Sequence, residues 1–414
     1  MSRRGELDVL VVGAGAIGGA LALALARDGF EVGLIEARAP KPWRSEDDVD
    51  LRVVALAPDA RALLDDLGVW SGVEASRAGA YRRMQVWDAL APGSLSFDAA
   101  ERGERALGWI VENKLVQHVL WQALQRLAPA ASAYAPESAR DAGAVRIHCP
   151  AELAELEENA DGIVATLADG TRLRAKLLIA AEGAESSVRT RRGIAFEGRD
   201  YGQRAVVAHV ATERAHENTA WQRFQPGGPL AFLPLADGRC SIVWSLPEAE
   251  AARVLALDEA AFRAELGCAF DFRLGAITAT TPRAAFPLRL RLAQRYVDGR
   301  CVLAGDAAHV VHPLAGQGMN IGFRDVLCLR RVLRDARERG SDLGAAHVLR
   351  RYERERRSES TLAAYGLDAI ERAFSSAAAP LAAVRGAGLA VANALSPLRR
   401  LLVDVAAGRR GAGA

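Results

Sequence analysis

Residues 301–325, CVLAGDAAHVVHPLAGQGMNIGFRD, concentrate more groups able to do chemistry than any other stretch of this 414-residue chain. Asp306 offers an acceptor-only carboxylate directly after Gly305, where the missing Cβ lets backbone approach a ligand; the pair suits a ribityl or ribose hydroxyl. His312-Pro313 ends the local structure, and Gly316-Gln317-Gly318 then brings bare backbone N–H groups to a helix that starts near Met319-Asn320. A helix N-terminus of this kind stabilises an anion or an electron-rich ring edge. Together these features read as a flavin site, although such a stretch taken alone is more often an ordinary glycine-rich turn. His309 and His312 are its candidates for proton handling, and a proline-flanked histidine in a turn is more often structural.

A second constellation lies at the start of the chain. Gly13-Ala14-Gly15-Ala16-Ile17-Gly18 follows an apolar run, opens an Ala/Leu-rich helix, and is followed by a second apolar run that ends in Glu36. Gly13 permits the tight turn, Gly15 lets a pyrophosphate approach the backbone, Gly18 lets helix and strand pack closely, and Glu36 stands where an acid binds adenosine ribose hydroxyls. The pattern specifies a dinucleotide without distinguishing NAD from FAD. A third turn, Glu182-Gly183-Ala184-Glu185-Ser186-Ser187, also follows an apolar strand and suits the phosphate side of the same ligand. Arg52 is placed either to face a pyrophosphate or to be solvated, and Gln117 reads in isolation as a surface glutamine.

The elements that must hold these groups follow from hydrophobic period. Strands are expected at Asp8–Val12, Glu31–Ile35, Lys176–Ala181 and Val302–Ala304, and helices at Pro58–Leu67, Trp109–Leu127, Ile321–Arg339 and Gly344–Ser360. From Tyr201 to Pro287 the texture turns to β, with runs at Arg204–Val210, Trp221–Phe224, Leu230–Leu235 and Cys240–Leu246, an Asp237-Gly238 hairpin and a covering helix Leu257–Phe270. Ala78–Ala99 alternates like further strands of another sheet. The expected fold is α/β, a Rossmann-like dinucleotide-binding domain with a second β-sheet domain and C-terminal helices. Its expected division gives residues 1–77, 105–195 and 291–365 to the first domain, 78–104 and 196–290 to the second, and 366–414 to a C-terminal helical region. The charged run Arg350–Arg357 reads as a solvated face. Pro397–Val403 either packs on the enzyme or lies on a membrane with its arginines toward anionic lipid.

Composition excludes several classes. Lys+Arg 53 against Asp+Glu 51 leaves no broad field for nucleic acid. Five dispersed cysteines without a CxxC give neither a disulfide framework nor a metal site, and point to a reducing, cytoplasmic compartment. Seven residues before the first strand are too few for a signal peptide, and no apolar run suffices to cross a bilayer, so any membrane contact is expected to be peripheral, on the inner face of the inner membrane.

With the three turns in this order, nearly the whole chain resembles the group A flavoprotein monooxygenases, of para-hydroxybenzoate hydroxylase-like fold. VENKLVQHVLWQAL, GPLAFLPLADGRCSIVWSL and GDAAHVVHPLAGQGMNIGFRD are similar to the ubiquinone-biosynthesis hydroxylases; CSIVWSL and AFDFRLG look most like the branch acting at C5 of the polyprenylphenol ring, the 2-polyprenylphenol 6-hydroxylase type. The resemblance implies non-covalent FAD, NADH or NADPH as electron donor, O2 as co-substrate and a polyprenylated phenol as substrate. It also implies partner enzymes in a ubiquinone-biosynthesis complex and a homo-oligomer. Gly13, Gly15, Ala16, Ile17, Gly18, Glu36 and Arg38 would hold the ADP half of FAD, and Arg52, Gln117 and Glu182 its pyrophosphate and ribityl stretch. Asp306 would bind the ribityl side, and Pro313, Gly316, Gly318, Met319 and Asn320 would surround the isoalloxazine. Glu182 departs from the family's Asp-Gly turn by one methylene. A flavin-dependent polyprenyl reductase and a non-catalytic FAD-binding accessory protein are the alternative readings.

Overall fold

The structure, a computed structural model, describes residues 6–128, 144–311 and 317–375. Leu7–Val12 is apolar at nearly every position because it lies inside a sheet covered on both faces, parallel to Val32–Ile35 on one side and Arg172–Ala180 on the other. Val145–His148 extends this sheet beyond Val32–Ile35, and Cys301–Leu303 extends it beyond Arg172–Ala180, both in parallel. The helix Ala16–Arg27 is buried almost all round, and its alanines and glycines admit close packing by the helices Asn113–Leu127 and Gln317–Glu338. Val12 pairs with Ile35 and with Ala180, and Ala180 pairs with Leu303. Four parallel strands therefore end on one level, and the three glycine-bearing turns and Glu36 leave the sheet from the same carboxyl edge, where open α/β sheets bind ligands.

Two elements in and beside the first sheet differ from the expected ones. Lys176–Ala181 is the second half of a single strand, Arg172–Ala180, whose first half pairs antiparallel with Gly162–Leu167. The exposed charges of that first half conceal its continuity with the apolar half. Residues 109–112 are strand, not helix: Gly108–Glu112 is the middle strand of a three-stranded sheet with Val53–Leu56 and Gly79–Tyr81. The helix begins only at Asn113.

The second sheet is built on the long strand Phe196–Thr212, paired antiparallel with Cys240–Pro247 and Ala284–Ala293. Arg83–Asp88 and Ser94–Asp98, far earlier in the chain, complete its other edge beside Thr219–Phe224. Two helices, Glu248–Ala256 and Glu259–Ala269, pack one face around Phe232, Trp244, Phe262 and Phe270. His309–Val310 also joins this sheet, through Leu292. The stretch that starts as a strand of the first sheet at Cys301 thus becomes a strand of the second eight residues later, and Asp306 lies at the crossing.

The last described helix, Ala346–Ser375, runs well past the expected end at Ser360. Its C-terminal part docks on the second sheet: the Tyr201 hydroxyl donates to Asp368 at 3.0 Å, Gln203 donates to Glu371 at 3.1 Å, and Arg199 pairs with Asp368. Reading Arg350–Arg357 as wholly solvated is corrected at Arg356, which is 2% exposed. Pro397–Val403 lies outside the described residues.

Candidate functional site

The N-terminal turn is built by close approach. A Cβ on Gly13, which has φ +100°, would lie 2.5 Å from the Ala181 carbonyl oxygen, and one on Gly18 would lie 1.9 Å from that of Gly13. Only glycine fits either place. Gly15 is different: a Cβ there meets no protein atom within 4 Å, and no side chain caps the helix it starts. The bare N-terminus of Ala16–Arg27 therefore faces open space, as an anion cradle requires. Ala16 is buried, whereas Arg38 is exposed.

Side chains from remote segments converge on this turn. Glu36 accepts from the Ala14 N–H at 2.6 Å and from the Arg38 N–H at 3.0 Å. Gln117 donates to the Ala14 carbonyl at 3.1 Å, so this glutamine belongs to the glycine turn and not to the surface. Ile17 packs against Gly305 and Gly322; a Cβ on Gly305 would lie 3.2 Å from it. The two glycine motifs, at opposite ends of the sequence, thereby touch.

Asp306 is open to solvent on one side and has no hydrogen-bond partner among the described residues. Surrounding protein still desolvates it, and this burial pushes its pKa up, while His309 and Arg52 pull it down. Arg52 itself lies over the Phe286 ring of the second sheet at 4.9 Å, and its backbone accepts from Asn113. A Cβ on Gly318 would meet nothing within 4 Å, so the helix Gln317–Glu338, like the first, begins in open space. Met319 packs against the main core. The Asn320 side chain is fully engaged, accepting from Ala57 N–H and donating to the Ala55 carbonyl, both at 2.9 Å, which leaves only its backbone for a ligand. His312, Pro313 and Gly316 lie outside the described residues.

Three expectations change on inspection of geometry. Glu182 turns inward: its carboxylate accepts from the Ser186 and Ser187 hydroxyls at 2.6 and 2.7 Å and from the Val188 N–H at 3.1 Å. It caps its own helix start, and its extra methylene supplies the reach. His309 is 1% exposed and points Nε2 at Asp325, 2.7 Å away, which places it in a buried network and not on the open side of Asp306. Asp325, absent from the expected set, is the buried acid of this stretch. Its Oδ2 also accepts from Gly305 N–H at 2.8 Å, and its Oδ1 from Arg356 Nε at 2.7 Å. The signal was available, since Asp325 falls between Ile321 and Leu329 on the apolar face of its helix, where an acid needs partners.

Taken together, the uncapped start of the helix Ala16–Arg27, the open Gly15 and Gly318, and Asp306, exposed and without a hydrogen-bond partner among the described residues, leave backbone N–H groups and one carboxylate free for an extended phosphate-bearing cofactor. Comparison with known proteins agrees. The model of a family described as "FAD binding domain" matches residues 6–364. The chain is 38% identical to the 3-demethoxyubiquinol 3-hydroxylase of Escherichia coli K12, covering 97% of this chain and 98% of that protein. It is 35% identical to the human mitochondrial ubiquinone biosynthesis monooxygenase COQ6, covering 96% of this chain and 92% of that one. Among solved structures, Klebsiella pneumoniae HpxO complexed with FAD and uric acid superposes with a TM-score of 0.71 at 22% identity, over 99% of both chains.

Proposed function

Because the chain belongs to the ubiquinone-biosynthesis hydroxylase family of FAD-dependent aromatic monooxygenases, we propose that it hydroxylates the ring of a polyprenylated phenol, using NAD(P)H and O2. The observation that carries this reading is the meeting of all three glycine turns on one carboxyl edge, with the exposed acid Asp306 beside the second sheet. When bound, FAD supplies the redox chemistry, taking hydride from the nicotinamide and delivering one oxygen atom of O2 to the ring.

The chain's own groups bind and orient. The open helix start at Gly15 to Gly18 receives the pyrophosphate, with Glu36 and Arg38 on the adenosine side. Glu182 acts through the turn it caps. Asp306 accepts from the ribityl chain, beside Arg52 and Gln117. The N–H groups at Gly318, Met319 and Asn320 would lie toward the pyrimidine side of the flavin and stabilise negative charge there; the family resemblance adds Pro313 and Gly316 to this set. No acid–base dyad is needed, and His309 serves the architecture. The second sheet, residues 78–104 and 196–290, forms the substrate side and keeps water from the ring. Its Phe286, stacked under Arg52, supplies an apolar wall for a phenol.

For ring position, the motifs favour C5, whereas the E. coli relative is by name a 3-hydroxylase. A polyprenyl tail must be collected from lipid. Among the described residues no helix is long and apolar enough to cross a membrane, so the protein would visit the bilayer peripherally, alone or with other enzymes of the route and with further copies of itself. Substrate-stimulated NAD(P)H oxidation by the FAD-loaded protein tests this reading. Adding a short-chain polyprenylphenol should raise the rate and consume O2. FAD that is bound and reducible but indifferent to the phenol would favour an accessory protein, and tail reduction without O2 uptake a reductase.

A further inference from the structure

Two charged groups and an imidazole, Asp325, Arg356 and His309, from separate elements, are sealed together behind the Gly305 turn. Asp325 is 0% exposed and Arg356 2%, and Arg356 comes from the long helix Ala346–Ser375, an element that contributes nothing to the cradle itself. One carboxylate oxygen of Asp325, Oδ2, accepts from both Gly305 N–H at 2.8 Å and His309 Nε2 at 2.7 Å. Those two groups are the two ends of the turn that carries Asp306. Oδ1 takes Arg356 Nε at 2.7 Å, and Arg356 is further held by Glu359 and by the Ile321 carbonyl at 3.4 Å.

We propose that Arg356 and Asp325 are positioning residues for FAD: Arg356 fixes the carboxylate of Asp325, and that carboxylate holds both ends of the 305–309 turn so that Asp306 stays aimed at the cofactor. This rests on the reading that Asp306 binds FAD. The physical grounds are three. Gly305 sits at φ +61°, a conformation the local chain does not enforce, so an external acceptor for its N–H selects it. An ionised Asp325 only accepts, which assigns the Nε2 proton of His309 and orients that ring. A buried carboxylate without its arginine is left uncompensated and seeks another arrangement, taking the turn with it. The same helix is bonded to the second sheet through Asp368 and Glu371, so the flavin turn and the substrate sheet are tied to one rigid rod.

The test measures FAD dissociation constants on the full-length protein, well below its melting temperature, with melting of the apoprotein followed in parallel. Arg356→Met should raise the FAD Kd at least tenfold. Adding Asp325→Asn, which removes the stranded charge but keeps an acceptor for Gly305 and His309, should bring Kd back to within threefold of the parent. Arg300→Met, which breaks a comparable partly buried pair with Asp342 away from the cradle, should lower the melting temperature with FAD Kd unchanged. A Kd within twofold for Arg356→Met, an equal rise in Arg300→Met, or no recovery in the double variant would each overturn the proposal. Arg356→Lys, which keeps the charge without the Nε geometry, replaces Arg356→Met if that variant does not fold and is judged by the same limits. Asp306→Ala separates the two levels: normal FAD affinity in that variant would mean that the FAD reading of Asp306, and not the network, had failed.

Discussion

At the scale of single residues, the site separates glycines that the fold needs from glycines that a ligand needs. A Cβ on Gly18 would collide with the Gly13 carbonyl at 1.9 Å, whereas one on Gly15 or Gly318 meets no protein atom. Gly18→Ala should therefore destabilise the apoprotein, while Gly15→Ala and Gly318→Ala should leave apoprotein melting unchanged or slightly raised and still weaken FAD binding at least tenfold. Calorimetric melting beside an FAD titration checks all three. Glu182 makes the opposite case, a site residue whose carboxylate faces the protein. Glu182→Ala should cost about 0.5–2 kcal/mol of stability, the value of a lost helix cap, and Glu182→Asp should recover only part of it, because the shorter side chain must reach Val188. Much of this was legible in the sequence: GAGAIG with its terminal Glu36, and Gly305-Asp306, specify turns by steric need. The role of Gln117 was not, because a polar residue on an amphipathic helix has no sequence feature that distinguishes solvent from a neighbouring backbone carbonyl.

Elements, not residues, bring the turns together. Asn320 clamps the helix Gln317–Glu338 to the strand Val53–Leu56 and the residue beyond it through two 2.9 Å bonds. Each buried group left unpaired costs about 1–3 kcal/mol, so Asn320→Ala should lower stability by roughly twice that range's lower end or more, measured by urea unfolding. The Asp325–Arg356 pair joins the same helix to the last one and carries a pH signature. Burial alone would raise the Asp325 pKa, but His309 and Arg356 outweigh it and hold the carboxyl below its ordinary value of 3.8. Asp325 therefore contributes stability that is fully present above about pH 4 and is lost as pH falls through its depressed folded value. The Asp325→Asn/Arg356→Met protein should show a shallower loss of stability on acidification in that window; an unchanged acid limb would count against the ionised pair. Sequence period located both helices but not this contact. Arg356 follows Tyr352 and precedes Ser360 on the buried face, yet five arginines in the eight residues 350–357 mask that spacing. The strand Gly108–Glu112 was hidden for a related reason: its apolar residues run into the helical pattern of Asn113–Leu127 without a break.

Across the whole molecule, the chain crosses between its two larger sheets more than once, and composition alone does not trace such a path. Arg83–Asp88 leaves the first sheet's region to pair with Thr219–Phe224, and residues 301–310 pass from one sheet to the other around Asp306. The consequence is that the edge bearing the three glycine turns and the second sheet are joined through the same few strands, with the helix Ala346–Ser375 bonded to both. The most direct measurement of the central claim is to incubate the FAD-loaded protein with NAD(P)H, a short-chain polyprenylphenol and 18O2, and to identify the product by mass and ring-proton NMR. A product carrying one 18O atom on the ring, with loss of the C5 proton, is the predicted result. Product labelled at another carbon would retain the reaction and move its position, whereas an unlabelled, tail-reduced product, or none despite bound and reducible FAD, would contradict the account.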